Sequence, residues 1–442
     1  MFEHIVGQSA ITQLAFDRTG GTLAPSMLFS GPPASGKGTA GLELGRVLSC
    51  ENPGAPRDCS CNACVRHRLL TNPDILSLGS RNFSAEISAA AAAFLREPET
   101  TGVKLLFIRS VRKLLARFSP VLWEDEPKFG KLGDTILSLE EALDEIWAAE
   151  PSAPEALQKR CASILKNAIK LEADGMSELI SIGQIRRAAA WSHLAPMGKR
   201  KLLLLENADR MQEAARNALL KILEEPPVLL TILLTTSREK ALLPTILSRV
   251  RPYRFIPRSH EVEIEVIRRV FRDERVTARA DLPGIGAYLD SFLPVPAETL
   301  RPLAAFFAAF IAAGTALALR KRGVSSMPHE IMSLGKHASA VAEAAGLGKP
   351  GGDAQSVAAK VLAGAEKFEI RGLFPRFLNF LLGLVSDSLR QSGVQNSGMN
   401  GYYDIWRKYI GEAAVAAGTY NQSPALTLER LGTELIRAMS RR

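Results

Sequence analysis

The sequence has no secretory signal, no internal repeat and few cysteines. Its first residues, Met-Phe-Glu-His-Ile-Val, contain no basic segment followed by an apolar core, so we expect a cytoplasmic protein. The most apolar stretch, residues 303–319, is rich in alanine and shorter than a comfortable membrane span, which favours a buried helix. Only five of the 442 residues are cysteines, and in a cytoplasmic protein their thiols stay reduced.

The composition is that of an ordinary globular protein. Hydrophobic residues make up 46% of the chain and charged residues 23%. The length suits about three domains. The net charge of +9 permits contact with nucleic acid, but many basic residues are scattered over helical faces, and a solvated surface explains them equally well.

Four of the five cysteines form a cluster: Cys50, Cys59, Cys61 and Cys64. Thiolates bind Zn²⁺ tetrahedrally, and short spacings between cysteines let one turn of chain supply several ligands. Four thiolates leave no open position for chemistry, so we predict a structural zinc site. Two disulfides, or thiols that are merely close, are the alternatives. Cys161 stands alone and is typical of a small buried apolar residue.

A phosphate-loop sequence precedes this cluster. Gly31, Gly36 and Lys37 fit the pattern G-x₄-G-K, in which backbone N–H groups and the lysine bind phosphate. An apolar run at 27–31 predicts a buried strand before the loop, and residues 39–48 have helical spacing after it. A chance glycine- and proline-rich loop would lack these flanking elements. The predicted nucleotide-binding residues are Gly31, Ser35, Gly36, Lys37, Gly38, Thr39 and Glu206.

Two positions that hydrolysis needs are altered. Gly38 stands where a Ser or Thr normally holds Mg²⁺, and Thr39 comes one residue late. A strand ending in Asp-Glu normally orients the metal and activates water, but here the strand ends in Glu206-Asn207. Glu206 can still orient a cation, whereas the amide of Asn207 cannot take a proton. We therefore expect ATP or ADP to bind with little or no turnover.

Further apolar runs predict a parallel α/β sheet covered by helices. The runs at 201–206 and 229–235 indicate two more buried strands, and residues 212–224 between them have helical periodicity. Residues 84–177 interrupt this alternation and are interpreted as a helical insertion. Within the insertion we expect a loop near 120–133 and helices near 137–149 and 154–173. After Arg258 the sequence is helical in character.

Several segments resemble the subunits of the bacterial DNA polymerase III clamp loader, which are AAA+ proteins. The most specific is Asn207–Met211 followed by Asn217–Pro227, and the others are Phe2–Gln8, Leu28–Lys37, Ile185–Arg187, Leu234–Ser237, Leu243–Val250 and, weakly, Asn421–Glu429. The cysteine cluster is similar to the zinc module of that family, with a gap one residue shorter between the second and third cysteines. The likeness is greatest to delta-prime-type subunits, with gamma/tau-type subunits next.

The resemblance implies a domain organisation and a set of partners. Residues 1–258 would form an AAA+ nucleotide-binding domain, with the zinc module at 50–64 and the insertion at about 84–177. Residues 259–300 would form a helical lid and residues 301–442 a C-terminal helical collar. The partners would be the other subunits of a hetero-pentameric loader, the sliding clamp and primer–template DNA, contacted without sequence specificity. The expected role is to help load the clamp during replication.

The resemblance also gives Arg249 a role. In the family, Ser-Arg-Cys carries an arginine finger that reaches the ATP site of the neighbouring subunit, and here Ser248-Arg249-Val250 keeps the arginine and loses the cysteine. Such fingers stabilise charge in the transition state. The alternative is that Arg249 packs or pairs at a domain edge. Thr235 and Thr236 both match the position that senses the γ-phosphate.

Three other functions are compatible with parts of the sequence. A gamma/tau-type ATPase of the same complex would hydrolyse ATP by itself. Gly-Lys-Gly-Thr at 36–39 also ends the phosphate loop of adenylate kinases, so a nucleoside monophosphate kinase would exchange phosphoryl groups between ATP and AMP. A regulatory or scaffold protein outside replication would use the insertion for partner contacts.

Overall fold

The computed structural model divides the chain into two units, Met1–Phe292 and Leu293–Arg442. Each is described here by itself. The predicted boundaries at 258 and 300 stay predictions. The structure describes residues 2–3, 5–79, 81, 83–124, 126–148, 153–177, 179–278, 284–293, 297–324, 326, 328–364, 370–391, 399–418 and 422–441.

A five-stranded parallel sheet lies at the centre of the first unit. The strand order is β2-β3-β4-β1-β5. The strands are β1 (Ser26–Ser30), β2 (Ile75–Leu78), β3 (Lys201–Leu205), β4 (Leu230–Thr236) and β5 (Arg251–Arg254). In the central pairing Leu28 lies opposite Leu234, and both strands are buried throughout. All carboxyl ends meet at one edge of a parallel sheet, and ligands commonly bind at that edge.

Helices cover both faces of the sheet. All helices of the first unit, including those of the insertion, are α1 (Ser9–Thr19), α2 (Lys37–Ser49), α3 (Asn62–Leu69), α4 (Ser84–Arg96), α5 (Thr101–Leu115), α6 (Pro120–Trp123), α7 (Pro127–Ala148), α8 (Pro154–Gly175), α9 (Ile182–His193), α10 (Glu213–Glu224), α11 (Pro244–Leu247), α12 (His260–Phe271) and α13 (Ile285–Asp290). Side chains of β1 alternate between two cores, because Met27 and Phe29 pack on the side of α2 whereas Leu28 packs on the side of α9 and α10.

The predicted fold class, a parallel α/β sheet with a helical insertion and a helical C-terminal region, is confirmed. The three predicted strands agree with β1, β3 and β4 to within one residue at each end. The sequence reading did not identify β2 or β5. Both have only four residues, and β5 is an edge strand that contains Pro252.

The described residues of the insertion form helices joined by short turns, and these helices extend into the region predicted as a loop. That prediction was wrong, because residues 120–133 carry α6 and the first turns of α7. Pro120 begins α6 and Pro127 begins α7, at the first helical position where a missing N–H breaks no helical hydrogen bond. The insertion shares one hydrophobic core with α12 and α13, through Ile267, Phe271 and Tyr288.

In the second unit the described residues contain helices and turns, as the sequence predicts. The helices are α14 (Ala297–Lys321), α15 (His329–Ala344), α16 (Ala354–Ala363), α17 (Ile370–Gln391), α18 (Met399–Gly418) and α19 (Pro424–Ser440). Residues Thr299–Lys321 are long and apolar enough to cross a membrane, but 67% of their most apolar window is buried in the protein. The prediction of a buried helix is therefore confirmed. Asn421 of the C-terminal motif lies outside the described residues.

Candidate functional site

The phosphate loop connects β1 to α2 at the carboxyl edge of the sheet. Gly31 has a φ of +149°, and a Cβ there would lie 2.2 Å from the carbonyl oxygen of Phe255, so this position requires glycine. Gly36 has a φ of +93° and precedes the first residue of α2. The sequence therefore builds the loop conformation that its pattern predicts, with the N-terminus of α2 at its end.

Lys37 turns its amino group back onto the loop itself. Nζ donates to the carbonyl oxygens of Gly31 (2.8 Å) and Pro32 (2.6 Å), and it lies 3.4 Å from Oγ of Ser237. Burial lowers the pKa of Lys37 to about 8, although the charges of Glu206 and Asp209 act in the opposite direction. The amino group is thus already hydrogen-bonded by the chain.

The remaining loop residues differ in their exposure. Ser35 is buried, and its hydroxyl donates to the carbonyl oxygen of Pro32 at 2.8 Å. Thr39 is exposed in the first turn of α2. Ser35 therefore stabilises the loop internally, whereas Thr39 faces solvent.

Gly38 and Glu206 are in direct contact. A Cβ at Gly38 would lie only 2.2 Å from Oε1 of Glu206, so a serine or threonine does not fit here while Glu206 keeps this position. The other carboxylate oxygen, Oε2, accepts a short hydrogen bond from Arg117 and lies 3.3 Å from Nε of Arg81. The two positions that normally hold Mg²⁺ are thus occupied by one carboxylate and its guanidinium partners.

This carboxylate is buried within an extended set of charges. Although burial acts to raise the pKa of Glu206, the positive charges of Arg81 and Arg117 outweigh it and hold this pKa below its usual value. Arg81 also pairs with Glu86 at 2.7 Å. The ring of Phe83 lies under both guanidinium groups, 4.5 Å from Arg81 and 5.3 Å from Arg117, which orients them toward the carboxylate.

The ends of β3 and β4 place the remaining polar residues. The backbone N–H of Asn207 donates to the hydroxyl of Thr235 at 3.4 Å. The hydroxyl of Thr236 donates to Asp209 at 2.6 Å, and Asp209 also pairs with Arg238 at 2.7 Å. Both threonines therefore have partners within the protein.

The N-terminal segment lies next to the loop. Gln8 and Ile256 exchange two hydrogen bonds of 2.9 Å between the glutamine amide and the backbone. Arg258 donates to the carbonyl oxygens of Val6 at 3.0 Å and of Ala34 at 2.7 Å. The chain that follows β5 is thus fixed against both the N-terminal segment and the phosphate loop.

Arg249 lies on the surface at the end of α11. Its guanidinium donates to the carbonyl oxygen of Thr245 and pairs with Glu224, both at 2.8 Å. One third of the Arg249 side chain is exposed (33%), as is half of that of Glu224 (50%). These contacts lie outside the phosphate loop, and an exposed pair of this kind is weak enough to be exchanged for another anion.

The four clustered cysteines lie together beside α2 and α3. Their sulfur atoms are all within 4.8 Å of one another, so the group could hold a metal ion. The alternative of disulfides does not apply in this structure, where all five cysteines are free and Cys50 Sγ lies 3.6 Å from Cys59 Sγ. Cys161 is buried in the core of the insertion, as predicted.

Two side chains donate hydrogen bonds to this cluster. The amide of Asn52 donates to Cys59 Sγ at 2.9 Å, and Arg46 donates to Cys64 Sγ at 3.2 Å. A backbone hydrogen bond from Cys61 lowers the pKa of Cys59 to about 6, whereas burial raises the pKa of Cys64 to about 12. N–H groups directed at sulfur favour thiolates, which are the form that binds metal.

Among the residues of the site that were not found from the sequence are Arg81, Arg117, Ser237 and Arg258. Arg117 lies 89 positions before Glu206, inside a segment that carries no motif. Ser237 directly follows the observed β4 and ends the clamp-loader-like segment Leu234–Ser237, which was the one available signal. The arginines had none, because basic residues are abundant in the chain.

A comparison with family models gives one match in this region. Residues 153–259 match the family described as DNA polymerase III, delta subunit. The matched segment includes β3, β4, β5 and Arg249, and it excludes the phosphate loop and the cysteine cluster.

Individual proteins were compared as well. The chain is 37% identical over 120 residues to DNA polymerase III subunit delta' of Pseudomonas aeruginosa, an alignment that covers 24% of this chain and 37% of that protein. The chain thus spans well under half the length of this relative. A gamma subunit-related protein of DNA polymerase III from Thermotoga maritima matches over 64% of this chain and 90% of its own length, with 19% sequence identity and a TM-score of 0.29. The resemblance to clamp-loader subunits is confirmed by the first two matches.

Proposed function

We propose that this chain is a delta-prime-type subunit of a bacterial DNA polymerase III clamp loader, which helps load the sliding clamp onto primed DNA in the cytoplasm. The observation that carries the proposal is the match of residues 153–259 to the delta family, together with the delta' relative. The partners would be the other loader subunits, the sliding clamp and primer–template DNA, contacted through its phosphates.

Assembly is the direct test of this proposal. The tagged chain, expressed in its own organism, is expected to co-purify with the other clamp-loader subunits, and the reconstituted complex should load clamp onto primed DNA. A chain that stays monomeric in the presence of all the other subunits would contradict the proposal. It would favour the scaffold or regulatory alternative.

We further propose that the nucleotide site of this chain binds ATP or ADP weakly and does not hydrolyse ATP. Gly38 carries no hydroxyl for Mg²⁺, Asn207 cannot act as a base, and Lys37 is hydrogen-bonded to its own loop. The purified chain alone should therefore show no ATP turnover above that of a Lys37→Ala variant. Turnover that this substitution abolishes would favour the gamma/tau-type alternative.

Arg249 is proposed to act on the ATP site of the neighbouring subunit. Its exposure, and its exchangeable pair with Glu224, leave it free to reach a phosphate outside this chain. Arg249→Ala should lower the DNA-stimulated ATPase of the reconstituted loader at least tenfold while assembly is unchanged. Arg254→Ala is the matched control, because Arg254 is also exposed and pairs with Glu239. Equal DNA-stimulated ATPase rates of the two variant loaders would mean that Arg249 only forms a surface ion pair.

The cysteine cluster is proposed to hold one structural Zn²⁺. Four thiols within 4.8 Å of one another fit its tetrahedral ligand set, and Zn²⁺ would cross-link α2, α3 and the loop between them. Metal analysis of the protein purified under reducing conditions should give one zinc per chain. Cys61→Ser should lower that content, and Cys161→Ser should not. A zinc-free, folded wild-type protein would remove this part of the proposal.

A further inference from the structure

The cation position beside the phosphate loop is the feature that neither the motif nor the comparisons explain. In a working site a hydroxyl after the lysine and a carboxylate at the end of the neighbouring strand hold Mg²⁺ together. In this chain the corresponding residues are Gly38 and Glu206, and the carboxylate of Glu206 takes the space that a side chain at position 38 would need. The residues present therefore do not fit a bound Mg²⁺.

We propose that Arg81 and Arg117 of this chain take the place of the divalent cation, so that the phosphate loop excludes Mg²⁺ and any nucleoside di- or triphosphate binds there in metal-free form. The inference deepens the proposed nucleotide site, and it rests on that proposal only for the identity of the ligand. The exclusion of metal rests on the geometry and the charges of the chain itself.

The first argument is occupancy of the carboxylate. Oε1 of Glu206 lies against Gly38, and Oε2 is bound by Arg117 and approached by Arg81 at 3.3 Å. Mg²⁺ requires oxygen ligands in a near-ideal octahedron at about 2.0–2.1 Å. A carboxylate whose outer oxygen already serves two guanidinium groups offers no such ligand unless these groups move away.

The second argument is charge. The guanidinium groups of Arg81 and Arg117 lie at this carboxylate, and Lys37 and Lys113 also interact with it, whereas Glu86 adds a negative charge to the set. A divalent cation placed beside the two guanidinium groups meets repulsion that solvent screens poorly. The same positive charges would favour a polyphosphate, which normally needs the metal for neutralisation.

The third argument is that the arginines are held in position. Phe83 is fully buried and lies under both guanidinium groups. The backbone N–H groups of Phe83 and Ser84 donate to Glu172 at 2.7 and 2.9 Å, which fixes this segment to α8. Arg81 also pairs with Glu86. Arg117 is thus built into the insertion and Arg81 into the segment just before it, and neither is a surface side chain that happens to be near.

The test measures divalent cation and nucleotide binding to the full chain. Mn²⁺ binding is followed by electron paramagnetic resonance, and the affinity for N-methylanthraniloyl-ADP is compared in excess Mg²⁺ and in excess EDTA. We expect the wild-type protein to have no Mn²⁺ site that depends on Glu206, so Glu206→Gln should leave Mn²⁺ binding unchanged. The affinity for ADP should differ less than threefold between excess Mg²⁺ and excess EDTA. A Mn²⁺ site that depends on Glu206, or an ADP affinity at least tenfold weaker in EDTA, would overturn the inference.

A double variant tests the converse, namely that removing the two guanidinium groups creates a metal site. Arg81→Gln combined with Arg117→Gln should create a Mn²⁺ site and make ADP binding at least tenfold stronger with Mg²⁺ than with EDTA. Arg112→Gln is the matched control, since Arg112 is an insertion arginine that pairs with Asp144. A folded double variant that gains neither property also refutes the inference. If the double variant does not fold, the wild-type measurements decide, and Arg81→Gln alone is the milder variant.

The outcomes separate this inference from the proposed function. Wild-type protein that binds no ADP, with a double variant that binds Mg²⁺-ADP, would support metal exclusion and remove nucleotide binding from the proposal. Metal-dependent ADP binding by the wild type would overturn the inference, while co-assembly with the loader subunits would still stand.

Discussion

At the scale of single residues, the absence of a side chain at Gly38 leaves the space that the carboxylate of Glu206 occupies. We expect Gly38→Ala to lower the free energy of unfolding by about 1–3 kcal/mol, because its Cβ would overlap Oε1 of Glu206, which the arginines hold in place. In a Glu206→Ala background the same substitution should cost less than about 0.5 kcal/mol. Urea unfolding of the four proteins measures this coupling. Equal costs in both backgrounds would mean that Glu206 simply moves aside.

His67 is a second residue whose environment predicts a measurable effect. The ring is buried, and among the described residues neither ring nitrogen has a hydrogen-bond partner. Burial, together with the charges of Arg109 and Arg46, lowers the pKa of His67 to about 3. The folded protein therefore keeps His67 neutral, whereas the unfolded chain binds a proton below a pH of about 6.5.

The sign of the resulting pH dependence follows from this depressed pKa. Stability contributed by neutral His67 is complete above a pH of about 6.5 and is lost as the pH falls toward 3. Between pH 7 and pH 5.5 the loss should be about 1 kcal/mol. His67→Leu should remove that part of the slope in chemical unfolding. Any loss of zinc on acidification affects both proteins, so identical slopes would contradict the assigned pKa.

Residue identities in the site were predictable only where a motif fixes them. Gly31, Gly36 and Lys37 follow from the spacing of the phosphate loop, and the altered residues Gly38 and Asn207 are visible against the same pattern. The guanidinium partners of Glu206 were not predictable. Their pairing depends on the tertiary path of the insertion, and no local periodicity encodes it.

At the scale of elements, α5 connects two parts of the first unit. Near its middle, Arg109 donates to the carbonyl oxygen of His67 and Arg112 to that of Leu69, both at 3.0 Å. These carbonyls belong to the last turn of α3, where that of His67 also accepts from the N–H of Leu70. Arg117, directly after α5, reaches Glu206. One helix therefore contacts both the cysteine-bearing helix and the phosphate site.

This arrangement predicts that α3 depends on α5. Arg109→Met should lower the free energy of unfolding by about 1–3 kcal/mol, because it removes charge-assisted hydrogen bonds to buried helix-end carbonyls. Arg186→Met on the exposed side of α9 is the control and should change stability by less than about 0.5 kcal/mol. Both are measured by denaturant unfolding with zinc present. A loss no larger than that of the control would show that water replaces Arg109 at these carbonyls.

Elements were predicted well where burial gives a long apolar run and poorly where it does not. Strands β1, β3 and β4 are buried throughout and were found, whereas β5 places three of its four residues at the surface. Prolines were interpreted as loop signals at 120–133, although Pro120 and Pro127 begin helices. A proline can end a helix or begin one, and the sequence alone does not show whether a given proline lies at the first helical position.

At the scale of the whole molecule, the second unit has a hydrophobic core of its own. Phe306, Phe307 and Ile311 of α14 are almost fully buried against α15, α17 and α19. The predicted boundary between a lid and a collar at residue 300 lies close to the division at Leu293.

A core of this size predicts independent folding. The fragment 293–442 should be soluble and helical, and it should unfold cooperatively on heating when followed by circular dichroism. Phe307→Ala should lower its midpoint clearly, since it removes a large buried side chain. The exposed Met332→Ala is the control. A fragment that melts without a transition would show that the unit needs the rest of the chain.

The dependence of Glu206 on Arg117 has a consequence for how this chain can change. Deleting residues 84–177 would remove Arg117 and leave Arg81 as the remaining guanidinium partner of an acid buried at the end of a central strand, which is destabilising. We therefore expect a shortened homologue or an engineered minimal version to replace the glutamate as well. The insertion, which carries no motif, is thus expected to be inherited together with Glu206 at the end of β3.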